Sequence, residues 1–162
     1  MSKHTSSLRW NRGDKPFTYE GYSRDHEWIF DGGQRLTGSA AQAFLGSTEG
    51  VDPEEALVVA LSSCHMLTLL AIAAKKGWVV DRYDDDAEGT LAKNAEGKLA
   101  ITHVTLRPRI VFAEGTVLDA DTLQYLHHQA HEHCFIANSV KTEVRVEPQE
   151  AYRHASTRTP EL

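Results

Sequence analysis

Asp52-Pro53-Glu54-Glu55-Ala56-Leu57-Val58-Val59-Ala60-Leu61-Ser62-Ser63-Cys64-His65-Met66 is the stretch on which the fold of this chain turns. Asp52 suits an N-cap, Pro53 the first helical position, and Glu55 the third, where its carboxylate can reach back to the cap. The apolar run continues to Ala74; Lys75 and Lys76 then put positive charge on the last turn, and Gly77 supplies the left-handed residue that stops a helix. The spacing predicts a helix of about 24 residues and roughly 36 Å. Leu57, Ala60, Leu61, Leu67, Leu70, Ala71 and Ala74 leave its second half almost no polar face, so the helix is expected to be buried on most sides.

Upstream, Phe17 to Tyr22 and Glu27 to Asp31 alternate polar with aromatic or apolar residues, predicting two short strands around a turn at Ser23-Arg24-Asp25-His26. Asp31-Gly32-Gly33 reads as a second turn, and residues 34 to 50 as a loop with at most a brief strand. Downstream, the pattern from Val79 to Phe112 has a period of two. Residues 87–93 and 99–106 flank Asn94-Ala95-Glu96-Gly97, which predicts a long antiparallel hairpin. Asp119 or Asp121 then caps a second helix carrying Leu123, Leu126, Ala130 and Cys134 on one stripe. Val140, Thr142, Val144 and Val146 alternate with charged residues in a closing strand that ends before Pro148. The expected organisation is a flexible N-terminal segment over 1–16, one α+β domain over 17–147, and a tail over 148–162 that frays from Tyr152.

At 162 residues, with 41% hydrophobic and 25% charged residues, the chain is long enough for one domain that buries roughly 70% of the surface its unfolded form exposes. The stretch from Met66 to Ala74, interrupted only by Thr68, is too short to span a bilayer, so no membrane partner is expected. The net charge of −6 is spread along the chain, without the basic, aromatic-interleaved run that tracks phosphates; nucleic acid is not an expected partner. The first residues show no apolar segment or small-residue cleavage site, and a cytoplasmic location is expected. In a reducing compartment a structural disulfide is disfavoured, which leaves packing, metal binding or redox chemistry for the two cysteines.

Cys64 lies about three turns into its helix, too far from the N-terminus for the dipole to activate it. Its blandest use is as a small buried hydrophobe, although Ser62 and Ser63 thin the helix surface beside it. Cys134 sits in His131-Glu132-His133-Cys134, and His127 and His131 are spaced to share one helical face, so a zinc site completed by a cysteine is an alternative. Taken alone, Arg24 reads as a surface arginine and Glu54 as a carboxylate that favours a helix N-terminus.

Glu54 ten residues before Cys64, the run Ala60-Leu61-Ser62-Ser63-Cys64, the Gly-ended apolar helix, the long hairpin, Cys134 at a helix end and the valine-rich last strand together resemble the OsmC/Ohr family of hydroperoxide reductases, over roughly residues 17 to 147. The resemblance implies an α+β fold in which antiparallel sheets wrap two helices, within an intertwined homodimer. It implies a thiol peroxidase acting in oxidative-stress defence with neither heme nor metal. By similarity, Cys64 is the peroxidatic thiolate that reduces an organic hydroperoxide to an alcohol, and Cys134 resolves the sulfenic acid as a Cys64–Cys134 disulfide. Arg24 matches the arginine that joins the site, oriented by Glu54 in a bidentate pair. The resemblance also implies a dithiol reductant, of lipoyl type in the family's better-known branch, that reopens the disulfide.

Helix geometry adds a constraint. Ten residues put Glu54 about 15 Å along the axis from Cys64, so Glu54 acts through Arg24, by a helix break, or from another chain. Phe135 stands where the family often has proline, and His65 follows the first cysteine directly. The competing readings are a thiol–disulfide exchange protein and a non-catalytic small-molecule or metal-binding module built on the same residues.

Overall fold

The structure, a computed structural model, describes residues 1–150; the expected fraying from Tyr152 falls outside the described residues. It divides into two compact units, one ending at Leu57 and the other beginning at Val58, where a single domain over 17–147 was expected.

The first unit is a three-stranded antiparallel sheet in the order β1 (Ser6–Arg9), β2 (His26–Phe30), β3 (Arg35–Gly38). β1 corrects the expectation of a flexible 1–16 segment, since Leu8 pairs with Trp28 and Arg9 with Glu27. All four β1 residues are exposed, so the strand carries no apolar alternation for a period-two reading to find. The strand predicted over Phe17–Tyr22 is instead a turn. The N–H groups of Gly21 and Tyr22 both donate to Thr18 O at 3.1 Å, and Pro16 and Gly21 suit that geometry better than a ladder. The turn at 31–33 forms as expected: Gly33 adopts φ +85° and its N–H donates to Phe30 O at 2.9 Å. The brief strand in 34–50 is β3, where Gly38 is required because a Cβ there would lie 2.2 Å from Trp28 Nε1.

α1 runs unbroken from Pro53 to Lys76, with its first turn in the first unit. Its capping box is formed in both directions: Glu55 N–H donates to Asp52 Oδ1 at 2.7 Å, and Asp52 N–H to Glu55 Oε2 at 3.1 Å. Gly77, at φ +72°, ends it, and Trp78 N–H returns to Ala73 O at 3.0 Å. By length and composition α1 could cross a membrane, with 22% of its most apolar window buried. Reading only the 66–74 stretch understated this. Burial on most sides is not achieved within one chain, because Val59 and Leu67 are 61% and 60% exposed.

The predicted hairpin is longer than its two core strands. β5 (Glu88–Lys93) pairs with β6 (Leu99–Leu106), and β4 (Val80–Asp85) with β7 (Pro108–Phe112), both antiparallel. The tip turns on Asn94, whose Oδ1 accepts the N–H groups of Glu96 and Lys98 at 3.0 Å. α2 (Ala120–Glu132) begins at Asp119, whose Oδ1 accepts Thr122 N–H at 2.7 Å. β8 (Glu143–Val146) then joins the edge of β6 in parallel, unlike the other strand pairings. The residues from β7 through α2 supply the crossover that a parallel pairing needs. Leu69 and Ala73 of α1, Ile110 of β7, and Leu126 and Ala130 of α2 form the buried core.

Candidate functional site

α1 and α2 belong to the same core, and that packing brings the two cysteines together from 70 residues apart in sequence. Both are free thiols; Cys64 is half-buried and Cys134 is 2% exposed. Leu61 and Leu69 are fully buried, so this stripe of α1 is turned into the core and rotates Cys64 toward its edge. Ser62 strengthens that setting by donating its hydroxyl to Asp85 Oδ2 at 2.5 Å, and Asp85 Oδ1 also accepts Arg107 N–H at 2.6 Å.

Cys134 follows the C-cap residue His133 and is held in a tight turn. Its sulfur accepts Ala137 N–H at 3.4 Å, and its carbonyl accepts both Asn138 N–H at 3.0 Å and Asn138 Nδ2 at 3.1 Å. Burial pushes the Cys134 thiol up to about 11, and its side-chain hydrogen bond with Cys64 adds to the shift. Cys134 therefore remains protonated at neutral pH. A thiol poised against a second thiol can trap an electrophilic sulfur at that position.

Arg24 and Glu54 also share a site, described within the first unit. Both line a cavity of about 660 Å³ together with Trp10, Phe17, Tyr22 and Phe44. The three aromatic residues Trp10, Phe17 and Tyr22 pack with centroids 5.8 to 6.4 Å apart. The Arg24 guanidinium lies 3.8 Å over the Tyr22 ring and donates Nη1 to Tyr22 O at 2.7 Å and Nη2 to Tyr19 O. Its Nε is buried without a partner. The expected bidentate bond to Glu54 is not among the ion pairs of the described residues, because two backbone carbonyls already hold the fork. Since α1 is unbroken, a helix break is removed from the routes by which Glu54 could act near Cys64.

Among the described residues, no group of three or more His, Cys, Asp or Glu side chains is placed to hold a metal ion. His127, weighed as a metal ligand beside His131, is instead bonded to His65 at 3.2 Å. Sequence reading missed this partnership, although one signal was present: His65 stands four residues from both Leu61 and Leu69 on the apolar stripe. Asp85 was missed as well, and nothing local in Asp84-Asp85-Asp86 distinguishes it.

A long bent hairpin packed with two core helices that present paired thiols defines the class as the OsmC-like fold. The chain belongs to the OsmC-like protein family, whose model matches residues 46–149. A solved OsmC-like protein of unknown function from Vibrio cholerae O1 biovar eltor is 48% identical, with a TM-score of 0.89 over 92% of this chain and 100% of its own. Organic hydroperoxide resistance proteins from Legionella pneumophila and Bacillus subtilis share the fold at 16% and 21% identity, with TM-scores of 0.66 and 0.62, over 93% and 92% of this chain and 98% of theirs. No curated protein matches the sequence.

Proposed function

We propose that this protein is a thiol peroxidase that reduces organic hydroperoxides. Family membership supports a redox role in peroxide stress, and the observation that carries the finer reading is the buried Cys134 thiol set beside Cys64. In the cycle, the Cys64 thiolate attacks the terminal peroxide oxygen. The O–O bond breaks, the alkoxide takes a proton and leaves as alcohol, and Cys64 becomes a sulfenic acid. Cys134 then attacks that sulfur, and the hydroxyl leaves as water with the thiol proton. A dithiol reductant, which is itself oxidised to a disulfide, returns both cysteines to thiols. These steps draw on no metal or organic cofactor.

Arg24 and Glu54 are part of the same proposal, as the residues that favour the ionised nucleophile and orient the hydroperoxide. So are a cytoplasmic location and a homodimer that covers the exposed apolar face of α1.

The test is turnover of cumene hydroperoxide with dihydrolipoamide, followed by dithiol consumption. We expect activity that is lost in Cys64→Ser, survives chelators, and falls at least tenfold in Arg24→Gln. Undiminished activity in Cys64→Ser, or its loss on chelation, overturns the reading. Disulfide exchange on a protein substrate without peroxide consumption supports the thiol-exchange alternative instead.

A further inference from the structure

The helices that carry the sulfurs also carry a polar pair that the proposed cycle leaves unused. His65 directly follows Cys64, and His127 lies two turns before Cys134. They are 1% and 4% exposed and bond Nε2 to Nδ1 at 3.2 Å. Their ring planes differ by 4° and their centroids lie 5.5 Å apart, as expected for imidazoles joined edge to edge in one plane. The outer nitrogens, His65 Nδ1 and His127 Nε2, are buried with no hydrogen-bond partner.

A neutral imidazole has one N–H and one lone pair. Whichever ring donates, one outer nitrogen is a sealed donor and the other a sealed acceptor. Each sealed group carries an uncompensated desolvation penalty, whereas apolar replacements for both rings can be nearly neutral. The neighbouring stripe positions Leu61 and Leu69 are apolar and fully buried. A cost of this kind, kept beside a reactive pair, calls for an explanation.

The geometry points to His65 and His127 as positioning residues for the thiol couple: their in-plane bond fixes how α1 presents Cys64 to Cys134, and so governs the rate of disulfide closure. The inference rests on the redox reading above. Apolar packing between helices leaves their crossing angle scattered by about 15–20°, so it holds any one pair of side chains only loosely. A disulfide accepts only about 1 Å of variation in Cβ···Cβ separation. Sliding apolar contacts alone do not hold two sulfurs to that window, while a directional N–H···N bond one residue from Cys64 restricts how α1 can shift. Burial holds both rings down to about 4, so the bond keeps its single shared proton at neutral pH.

The test is single-turnover oxidation with cumene hydroperoxide, with the sulfenic acid trapped by dimedone and the disulfide read by mass spectrometry. Three variants are compared: His65→Leu/His127→Leu, which removes the bond; His127→Leu alone, for use if the double variant does not fold; and His65→Gln/His127→Asn, in which the amide nitrogen of one side chain can donate to the amide oxygen of the other where Nε2 and Nδ1 stood. In the leucine variants we expect first oxidation within twofold of wild type and closure at least tenfold slower, with dimedone-trapped sulfenic acid accumulating. The double leucine variant should melt no lower than wild type, and the Gln/Asn variant should recover most of the closure rate. Wild-type closure in the leucine variants, or closure in the Gln/Asn variant as slow as theirs, overturns the inference alone. A wild-type protein that never forms the disulfide overturns the redox reading and this inference with it.

Discussion

The Cys134 thiol lies beside Cys64, and burial, with that neighbour adding to it, pushes the Cys134 thiol up to about 11. The two sulfurs are therefore unequal before any oxidant arrives: one is a half-buried candidate nucleophile, the other a protonated donor sealed behind it.

That asymmetry predicts different defects at the two positions. Cys64→Ser removes the first oxidation. Cys134→Ser spares it and stops turnover, because an unresolved sulfenic acid goes on to the irreversible sulfinic acid in excess peroxide. Intact-mass spectrometry after stepwise peroxide addition checks this; continued cycling in Cys134→Ser would refute the resolving role.

Asp85 is expected to matter more than its neighbours in sequence. It accepts both the Ser62 hydroxyl and the Arg107 N–H, so Asp85→Ala leaves two donors behind and should cost about 1–3 kcal/mol. Ser62→Ala, which leaves Asp85 its second partner, should cost about 1 kcal/mol. Urea denaturation of both single variants and the double gives the coupling. Equal, additive losses would show that Asp85 does not link the two donors.

The buried imidazoles make stability sensitive to acid. Their folded values, about 4, lie below the ordinary 6.5, so between those limits the unfolded chain binds protons that the folded chain refuses. Stability should be level above pH 6.5 and fall as pH drops toward 4, by on the order of 2–3 kcal/mol per ring. Urea midpoints across that window should decline in the wild type and flatten in His65→Leu/His127→Leu. An unchanged slope in the variant would assign the acid loss to other groups.

Val59 and Leu67 keep 61% and 60% of their surface exposed on an apolar helix. If a second copy covers them, light scattering should give twice 18.0 kDa, and Leu67→Glu should raise the dimer dissociation constant at least tenfold, because it buries an unpaired charge. A monodisperse monomer in the wild type would count decisively against the dimer.

Much of the chain from Asp52 onward was legible because its signals are local. The capping box at Asp52 and Glu55, the Gly77 stop, the Asn94 turn and the Asp119 cap are each satisfied within a few residues, and each formed where expected. The first unit was read less well. Ser6–Arg9 became a strand only because β2 offered it an edge, and Phe17–Tyr22 has strand-like alternation but a Pro and Gly pattern that favours a turn.

By itself, the sequence determined the α+β class, the two helices with their ends, the hairpin and the family resemblance, since short-range propensity, capping and periodicity are complete within each segment. Only the tertiary structure decided the parallel pairing of β8 with β6, the bond between His65 and His127 across 62 residues, the capture of the Arg24 fork by carbonyls instead of Glu54, and the meeting of Cys64 with Cys134. Each of these depends on which buried faces distant segments turn toward one another. That choice is settled by packing the whole core, and no window of sequence contains it.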